Sequence, residues 1–563
     1  MVKKVLHFFQ RETKNMSEAA FILGFLTLFS QILGLIRDRL FAHYLGVGVS
    51  LDIYNTAFRI PDLLFAIMAS VVSVTILLPF FSEKLYGTDS GKEEAKKFLN
   101  TIFSLFFIML VVISGILFFL TPMIVPYIAP GFPNESLEKL IDVTRILLLS
   151  PLLLGLSSLF ATVTQTYNKF LLYALSPVLY NLGIIFGIVF LYASYGIPGI
   201  AWGVIIGAFL HMIIHLPVLI QKDFVPKFSF SIDWYYVRKV ISIALPRTLT
   251  LGIARITFIV LGALASLIGL GSISIFQFAY NLQSVPLALV GMSFSVAAFP
   301  VLVKNFAQEN REAFLRSVIE PIRYIIFWSL PIIVVFIVLR AHVVRLVLGT
   351  GMFDWNDTRL TAAALALFAL SVIAQSLSLL FVRAYYAAGR TYFPFFIHLV
   401  GAFFAIGFGL YAVYVVDSEG LLWKWFELLM RVDGVSGTKV LVLPLAYSLG
   451  ALITSVLLWF SFARTYMQTY VHNLARTIWQ SLFAVSGMAL GSYAVLQFLA
   501  PLVPGTTTLA LLSQTIISFG VGIMIWASIL IIIKNKEWLL FTEIIKRNFF
   551  KKTESVVLPQ EGL

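Results

Sequence analysis

Polar and charged side chains recur at helical spacing inside stretches of the chain that are otherwise apolar. Asp52, Asn55 and Arg59 follow one another at intervals of three and four residues, which places them on one face of a helix. Gln277 and Asn281 have the same spacing farther along the chain. A charge at membrane depth costs at least about 2.5–3.5 kcal/mol, so it requires a partner, a cavity or a function. These stripes indicate a polar cavity between helices.

The embedded cations are arginines, and they outnumber the embedded carboxylates. A guanidinium presents a planar fork that matches phosphate and carboxylate oxygens, so the cavity is predicted to be positive and its substrate anionic. The alternative interpretation is that Asp52 with Arg59, and Arg37 with Asp38, form structural ion pairs. The residues that we expect to bind substrate are Arg37, Asp52, Arg59, Arg247, Arg255, Gln31, Asn55, Asn281 and Gln277.

The composition identifies lipid as the solvent of most of the chain. Its 563 residues are 60% hydrophobic and 12% charged, and the mean hydropathy is +0.95. That polarity is too low for a soluble, fibrous or disordered protein. The net charge of +13 favours contact with anionic lipid over nucleic acid. With no cysteine, no phosphate-binding GxxxxGK[ST] loop and only His211 and His215 at metal-ligand spacing, we expect no metal or cofactor.

Apolar windows of about 20 residues predict an all-α polytopic membrane protein with fourteen transmembrane helices. With the N-terminus in the cytoplasm, the inside segments hold 26 Lys and Arg and the outside segments hold 7, as the positive-inside rule requires. Both termini are therefore predicted to be cytoplasmic. The windows centre on 19–41, 53–80, 99–125, 141–165, 171–193, 197–219, 241–267, 272–303, 319–345, 359–382, 392–415, 440–462, 476–500 and 509–533.

An internal repeat divides these helices into two lobes of six. The Gly-x-Gly turn, polar helix start and proline of 45–61 recur at 268–286, and an offset near 220 residues also relates 165–177 to 383–394. Both copies begin on an odd-numbered span, which predicts a parallel repeat, as in transporters whose lobes rock around a central site. The predicted divisions are a cytoplasmic segment 1–17, an N-lobe 18–220, a linker 221–240, a C-lobe 241–466 with an outer-face insertion 416–439, two further spans in 473–533, and a cytoplasmic amphipathic tail 534–563.

The segment SQILGLIRDRLFAHYLGVGVSLDIYNTAFRIPDLL (30–64) resembles the first two spans of the MurJ/MviN lipid II flippases, which belong to the multidrug/oligosaccharidyl-lipid/polysaccharide exporter superfamily. APGF (129–132), FDWNDTRLTAAAL (353–365) and RAYYAAGRTYFP (383–394) support it. The resemblance covers roughly 18–533. It implies transport of the undecaprenyl-pyrophosphate-linked peptidoglycan precursor from the inner to the outer leaflet of the cytoplasmic membrane, without enzymatic chemistry. It also implies that Arg37 and Asp52 belong to the central cavity and that 473–533 forms a lipid-tail groove.

Several positions depart from the family pattern. Gln31, Phe65 and Asn281 stand where the family commonly has arginine, and Arg247 and Arg255 restore positive charge in our interpretation. The resemblance implies that sodium, where members of the family use it, binds to carboxylates on spans 7 and 11; neither span carries an acidic residue here, so sodium coupling is not expected. The expected partners are the lipid-linked precursor and membrane phospholipids, with cell-wall synthesis proteins as further candidates. The alternatives are a flippase for another polyprenyl-linked glycan, a cation-coupled drug exporter, and a scaffold of a cell-wall synthesis complex.

Overall fold

The computed structural model of the chain describes residues 16–87, 90–229, 234–416, 420–466, 472–503, 505 and 507–550, and every regular element in those ranges is a helix. Short π-helical segments, Gly187–Leu191 and Leu287–Met292, interrupt two of the helices, and a 3-10 turn covers Thr438–Leu441. The α-helices are α1 (Met16–Tyr44), α2 (Val49–Ala57), α3 (Arg59–Val71), α4 (Val74–Tyr86), α5 (Gly91–Ile128), α6 (Asn134–Leu147), α7 (Leu149–Thr166), α8 (Phe170–Phe186), α9 (Tyr192–Tyr195), α10 (Ile197–Ile213), α11 (Leu216–Lys222), α12 (Trp234–Ile268), α13 (Ser272–Pro286), α14 (Ser293–Ala307), α15 (Arg311–Val338), α16 (Arg340–Leu348), α17 (Trp355–Ala369), α18 (Ser371–Ala387), α19 (Phe393–Tyr414), α20 (Leu421–Met430), α21 (Val442–Tyr466), α22 (His472–Leu502), α23 (Thr508–Ile532) and α24 (Lys536–Phe550).

The length and hydropathy of these helices confirm the prediction of an all-α polytopic membrane protein. Among the described residues, 11 helices are long and apolar enough to cross a membrane, and α17 with α18 raises the number to 12 if that pair, bent by 41°, is one span. The predicted windows 19–41 and 53–80 fall on α1 and on the series α2, α3 and α4, which are not among those twelve. The number of fourteen spans stays a prediction.

The series α2–α4 is broken at two positions, and a proline accounts for the first. Pro61 has no N–H to donate, and its ring collides with the carbonyl four residues earlier, at Ala57, in a continuous helix. Helix α2 accordingly ends at Ala57, and α3 begins at Arg59. The polar stripe that the sequence places on one helix is therefore divided between α2, which carries Asp52 and Asn55, and the first turn of α3.

Two compact units divide the chain. Unit 1 contains Met1–Val285, Val347–Ser371 and Gly389–Thr454, and unit 2 contains Pro286–Leu346, Val372–Ala388 and Ser455–Leu563. An aromatic core in unit 1 joins α4, α5 and α7 to the segment after α11 through the buried rings of Phe81, Phe98, Phe160 and Phe224. In unit 2, Phe327 and Trp526 form a core between α15, α22 and α23. The predicted lobe boundaries 18–220 and 241–466 stay a prediction from the repeat.

Glycines let α8 and α10 approach each other closely in unit 1. A Cβ added to Gly183 would lie 2.2 Å from Cα of Gly207, and one added to Gly203 would lie 2.4 Å from Cα of Gly187. Both obstructions are backbone atoms, which cannot move aside as a side chain can. Small residues at such crossings are how apolar membrane helices gain contact without a hydrophobic driving force.

Two short helices fall within the predicted insertion 416–439 and the predicted amphipathic tail 534–563. Helix α20, within the predicted insertion 416–439, buries Trp423 against α19 and α21, while Leu421, Leu422, Trp425, Leu428 and Leu429 are exposed. Helix α24 packs Trp538 and Phe541 against Trp526 and Trp328 of unit 2. The first 15 residues and 551–563 lie outside the described residues, so most of the predicted segment 1–17 and the end of the tail 534–563 do too.

Candidate functional site

A polar cavity of about 280 Å³ lies within unit 1 among α1, α2, α3, α8, α12 and α13. Its walls come from both copies of the sequence repeat. Six of the nine predicted site residues line it: Arg37, Asn55, Arg59, Arg255, Gln277 and Asn281. With Asp38 and Asp62 also in the lining, three guanidiniums face two carboxylates, and the formal charge of the lining is positive by one.

Arg37 is held in the cavity wall by two side chains. Its Nε and Nη2 donate to Oδ1 of Asp38 at 3.1 and 2.9 Å, and its Nη1 donates to Oδ1 of Asn181 at 3.3 Å. Asn181 on α8 is fixed in turn, because its Nδ2 donates to Oγ of Ser30 at 3.2 Å and to the carbonyl of Pro177 at 3.1 Å. The Arg37 side chain keeps 24% of its surface exposed, so a fixed guanidinium stays open to a ligand.

The same carboxylate connects Arg37 to the second half of the repeat. Oδ2 of Asp38 accepts a hydrogen bond from Nδ2 of Asn281 at 2.9 Å, and Oδ1 of Asn281 accepts from Nε2 of Gln277 at 2.8 Å. We call the hydrogen-bonded series Asn181, Arg37, Asp38, Asn281 and Gln277 the cavity chain. It links α8, α1 and α13, so a change at the arginine reaches side chains on two other helices.

Arg255 is more available to a ligand than Arg37 is. Its closest carboxylate is that of Asp62, with Nη1 and Oδ2 separated by 3.9 Å. Both side chains are about half exposed, at 51% and 49%. Pairs of this kind contribute only about 0–1 kcal/mol, because solvent screens them. An anion with better geometry can therefore replace Asp62 as the partner of Arg255 at little cost.

Arg59 lines the cavity but is 6% exposed, and its contacts are with the backbone. Nη1 donates to the carbonyl of Ile128 at 3.2 Å and to that of Ile259 at 3.5 Å. The guanidinium lies against Gly262 on α12, where an added Cβ would be 1.9 Å from Nη2. Arg59 thus joins α3 to the end of α5 and to α12, which is a structural contact rather than an open ligand position.

A Gly262→Ala substitution is expected to lower stability by about 1–3 kcal/mol, because the buried guanidinium must give up its carbonyl partners to make room. Gly252→Ala is the matched control, since that glycine is on the same helix with nothing within 4 Å of its added Cβ. Thermal unfolding of the purified proteins in one detergent compares them. A Gly262→Ala melting temperature equal to that of the control would show that Arg59 is not anchored at Gly262.

Asp52 lies outside the cavity lining and caps a helix instead. It is fully buried, and its carboxylate accepts hydrogen bonds from the backbone N–H of Gly271 at 2.6 Å and from N–H and Oγ of Ser274 at 2.8 and 2.5 Å. These donors belong to the start of α13, where the helix dipole favours a negative charge. Gly271, at φ +86°, also packs against Val47, so the two Gly-x-Gly turns of the repeat meet here.

Two other predicted residues also lie outside the cavity lining. Gln31 is half-buried on α1, and Arg247 is half-buried on α12. The histidines that the sequence sets at metal-ligand spacing bond to α7 instead: Nδ1 of His211 is 2.7 Å from Oγ of Ser157, and Nδ1 of His215 is 3.1 Å from Oγ1 of Thr164.

Sequence reasoning missed the aromatic part of the site. Tyr54, Tyr180 and Tyr280 line the cavity and add phenol groups to it. Tyr180 and Asn181 come from α8, which reads as an apolar span. A polar pair within an otherwise apolar helix was the available signal, since an embedded amide needs a partner.

Comparison with known proteins gives one consistent family. A family model described as Lipid II flippase MurJ matches residues 41–513. The probable lipid II flippase MurJ of Buchnera aphidicola subsp. Acyrthosiphon pisum is 30% identical over 388 residues, which cover 68% of this chain and 75% of that protein. The probable lipid II flippase MurJ of Borreliella burgdorferi is 27% identical over 393 residues, covering 69% and 76%.

Solved structures agree on the fold. A lipid II flippase MurJ in an inward closed conformation aligns with a TM-score of 0.69 at 22% identity, over 94% of this chain and 100% of that one. An inward-facing multidrug resistance MATE family transporter of the MOP superfamily aligns with a TM-score of 0.63 at 14% identity, over 80% and 96%. At these identities, the likeness concerns the fold alone.

Proposed function

Because the chain belongs to the lipid II flippase MurJ family, we propose that it moves lipid II, the undecaprenyl-pyrophosphate-linked peptidoglycan precursor, from the inner to the outer leaflet of the cytoplasmic membrane. The observation that carries the proposal is the cavity of unit 1, in which Arg37 and Arg255 face one space that both halves of the repeat enclose. Two guanidinium forks in one cavity match the oxygens of a diphosphate.

The size and lining of the cavity indicate which part of the substrate it holds. A volume of about 280 Å³ accommodates a diphosphate with adjoining sugar atoms, but not a disaccharide-pentapeptide head group together with its lipid. The lining also contains the neutral polar side chains of Asn55, Tyr54, Tyr180 and Tyr280, a type of group that can fix the orientation of a sugar. We infer that the cavity widens during transport and that its present form suits the charged linkage.

We assign transport to alternating access. The head group enters from the cytoplasmic side, the two lobes of the repeat rock about the cavity, and the head group leaves outward while the polyprenyl tail stays in lipid. Fourteen spans with both termini in the cytoplasm complete this proposal. Helices α22 and α23 expose Phe483, Leu490, Ile516 and Met524, which suits a groove for the tail. No step makes or breaks a covalent bond.

The alternatives differ in what they require of the cavity. A drug exporter for organic cations needs carboxylates that are free to bind them, whereas Asp38 and Asp62, the carboxylates of this lining, each lie within ion-pair distance of an arginine. A scaffold in a cell-wall synthesis complex needs no cavity arginines at all. A flippase for another polyprenyl-linked glycan would bind the same diphosphate through Arg37 and Arg255, which we call the diphosphate clamp. Only a comparison of transport of the two substrates distinguishes that flippase from one for lipid II.

Reconstitution is the direct test. Purified protein in liposomes is expected to expose the head group of labelled lipid II on the opposite leaflet, with much slower movement of a polyprenyl diphosphate that carries an unrelated glycan. In a bacterium depleted of its own lipid II flippase, expression of the chain is expected to restore growth. Lysis of the depleted cells despite membrane insertion of the chain, together with inactive liposomes, would refute the assignment.

A further inference from the structure

We propose that unit 2 holds a second anion site, which binds the phosphate of a lipid headgroup where α15, α22, α23 and α24 come together. A cavity of about 280 Å³ opens there. Its lining includes four cations, Arg323, Arg476, Lys534 and Lys536, and a single carboxylate, Glu537. The site is separate from the cavity of unit 1, and the proposal does not rest on the assignment of lipid II transport.

The carboxylate in this cavity is already satisfied. Nε of Arg323 donates to Oε1 of Glu537 at 2.7 Å, and Oγ1 of Thr477 donates to the same oxygen at 2.9 Å. Glu537 is only 3% exposed, so its charge is paired within the protein. Arg323 neutralises it and is not available to a ligand.

Three cations remain after that pairing. Arg476, Lys534 and Lys536 are exposed, and none has a carboxylate within ion-pair distance among the residues that the structure describes. Three like charges around one cavity repel one another, and the repulsion is relieved when an anion enters. A phosphate suits the space because it offers several oxygens to cations that approach from different elements.

A rigid turn builds the site. Lys534 adopts the left-handed conformation with φ 50°, which is disfavoured for a residue with a side chain. The next residue, Asn535, is buried; its Nδ2 donates to Oε1 of Gln480 at 3.0 Å, and its Oδ1 accepts from N of Trp538 at 3.1 Å. Asn535 thus fixes the start of α24 beside α22 and sets Lys534 and Lys536 on either side of itself.

The surroundings favour a lipid as the carrier of the phosphate. Trp479 on α22 and Ile532 on α23, each close in sequence to the cations, are 72% and 77% exposed. Tryptophan is enriched where a bilayer meets water, and lysine and arginine are enriched on the cytoplasmic side. A lipid bound here places its phosphate among the three cations and its acyl chains along the exposed apolar side chains. Anionic lipid of the cytoplasmic leaflet has that chemistry.

The experiment measures the binding of phosphatidylglycerol to the full-length protein in detergent by native mass spectrometry. The test variant is Arg476→Gln Lys534→Gln Lys536→Gln. The control is Lys97→Gln Arg238→Gln Lys304→Gln, which removes the same charge from exposed positions outside the cavity. We expect the test variant to lose at least tenfold in affinity for the tightest-bound phosphatidylglycerol, and the control to change less than twofold.

A second variant guards against misfolding of the triple variant. Gln480→Glu keeps an oxygen that can accept from Asn535 and adds a negative charge to the cavity, so we expect affinity to fall at least fivefold with an unchanged melting temperature. Equal phosphatidylglycerol affinity in the test and control variants would overturn the site. Displacement of the bound lipid by inorganic phosphate at the same molar concentration would overturn the lipid as its source.

Discussion

An Arg37→Ala Arg255→Ala variant is expected to move the lipid II head group at least about a hundredfold more slowly than the native protein. Each guanidinium supplies charge-assisted hydrogen bonds worth about 1.5–3 kcal/mol. Losing two such contributions costs about 3–6 kcal/mol, and each 1.4 kcal/mol is a factor of ten. The measurement is the rate at which labelled lipid II reaches the opposite leaflet of proteoliposomes.

The two arginines call for different single variants. Arg255 is half exposed and only loosely paired, so Arg255→Gln removes the charge with little structural consequence. Arg37→Ala leaves Asp38, which is 5% exposed, without its cation. Part of any loss of transport rate then comes from disturbed packing of the cavity wall rather than from lost contacts with the substrate. Arg238→Ala Arg316→Ala, at exposed positions outside the cavity, is the control. A native rate in the double cavity variant would eliminate the diphosphate clamp.

Asp52→Ala is expected to destabilise the protein by about 3–5 kcal/mol, because each buried donor left without an acceptor costs about 1–3 kcal/mol. It leaves two backbone N–H groups and one hydroxyl at the start of α13 without their acceptor. The expected result is a large fall in the melting temperature of the purified protein. Transport should fall as well, although Asp52 does not line the cavity.

Two further variants separate the contribution of the Asp52 carboxylate from that of the Ser274 hydroxyl. Asp52→Asn keeps one acceptor oxygen and is expected to lie between the native protein and Asp52→Ala. Ser274→Ala removes only the hydroxyl donor and should cost about 1 kcal/mol. If Asp52→Ala melts at the native temperature, the carboxylate is not supporting the junction of the two turns.

The polar stripe shows which cavity residues helical spacing can predict and which it cannot. Asn55, Arg59 and Asp62 share a helix face in the sequence, and all three line the cavity. Asp52 has the same spacing, yet it caps α13. The difference comes from the Gly-x-Gly turn of the other repeat, which brings unsatisfied N–H groups to Asp52 alone, and spacing within one helix carries no information about such a neighbour.

The same limit separates Arg255 from Arg247. Both lie on α12, but eight residues amount to about 12 Å along the axis and a rotation of about 80°. Gln31 differs from Arg37 by six residues, which turns it about 120° away around α1. Embedded charge predicted every helix around the cavity except α8, whereas the depth and face that each side chain occupies depended on tertiary packing.

Asp38 divides its two oxygens between Arg37, on the first half of the repeat, and Asn281, on the second. An anion that draws Arg37 toward itself weakens the hydrogen bonds that Arg37 donates to Oδ1 of Asp38. The negative charge on Oδ2, which accepts a hydrogen bond from Asn281, then changes as well. Occupancy of the cavity is thereby energetically linked to the contact between the halves, and the linkage is reciprocal. In such a carrier, loading shifts the equilibrium between its conformations by the same free energy by which the conformation changes the affinity for the substrate.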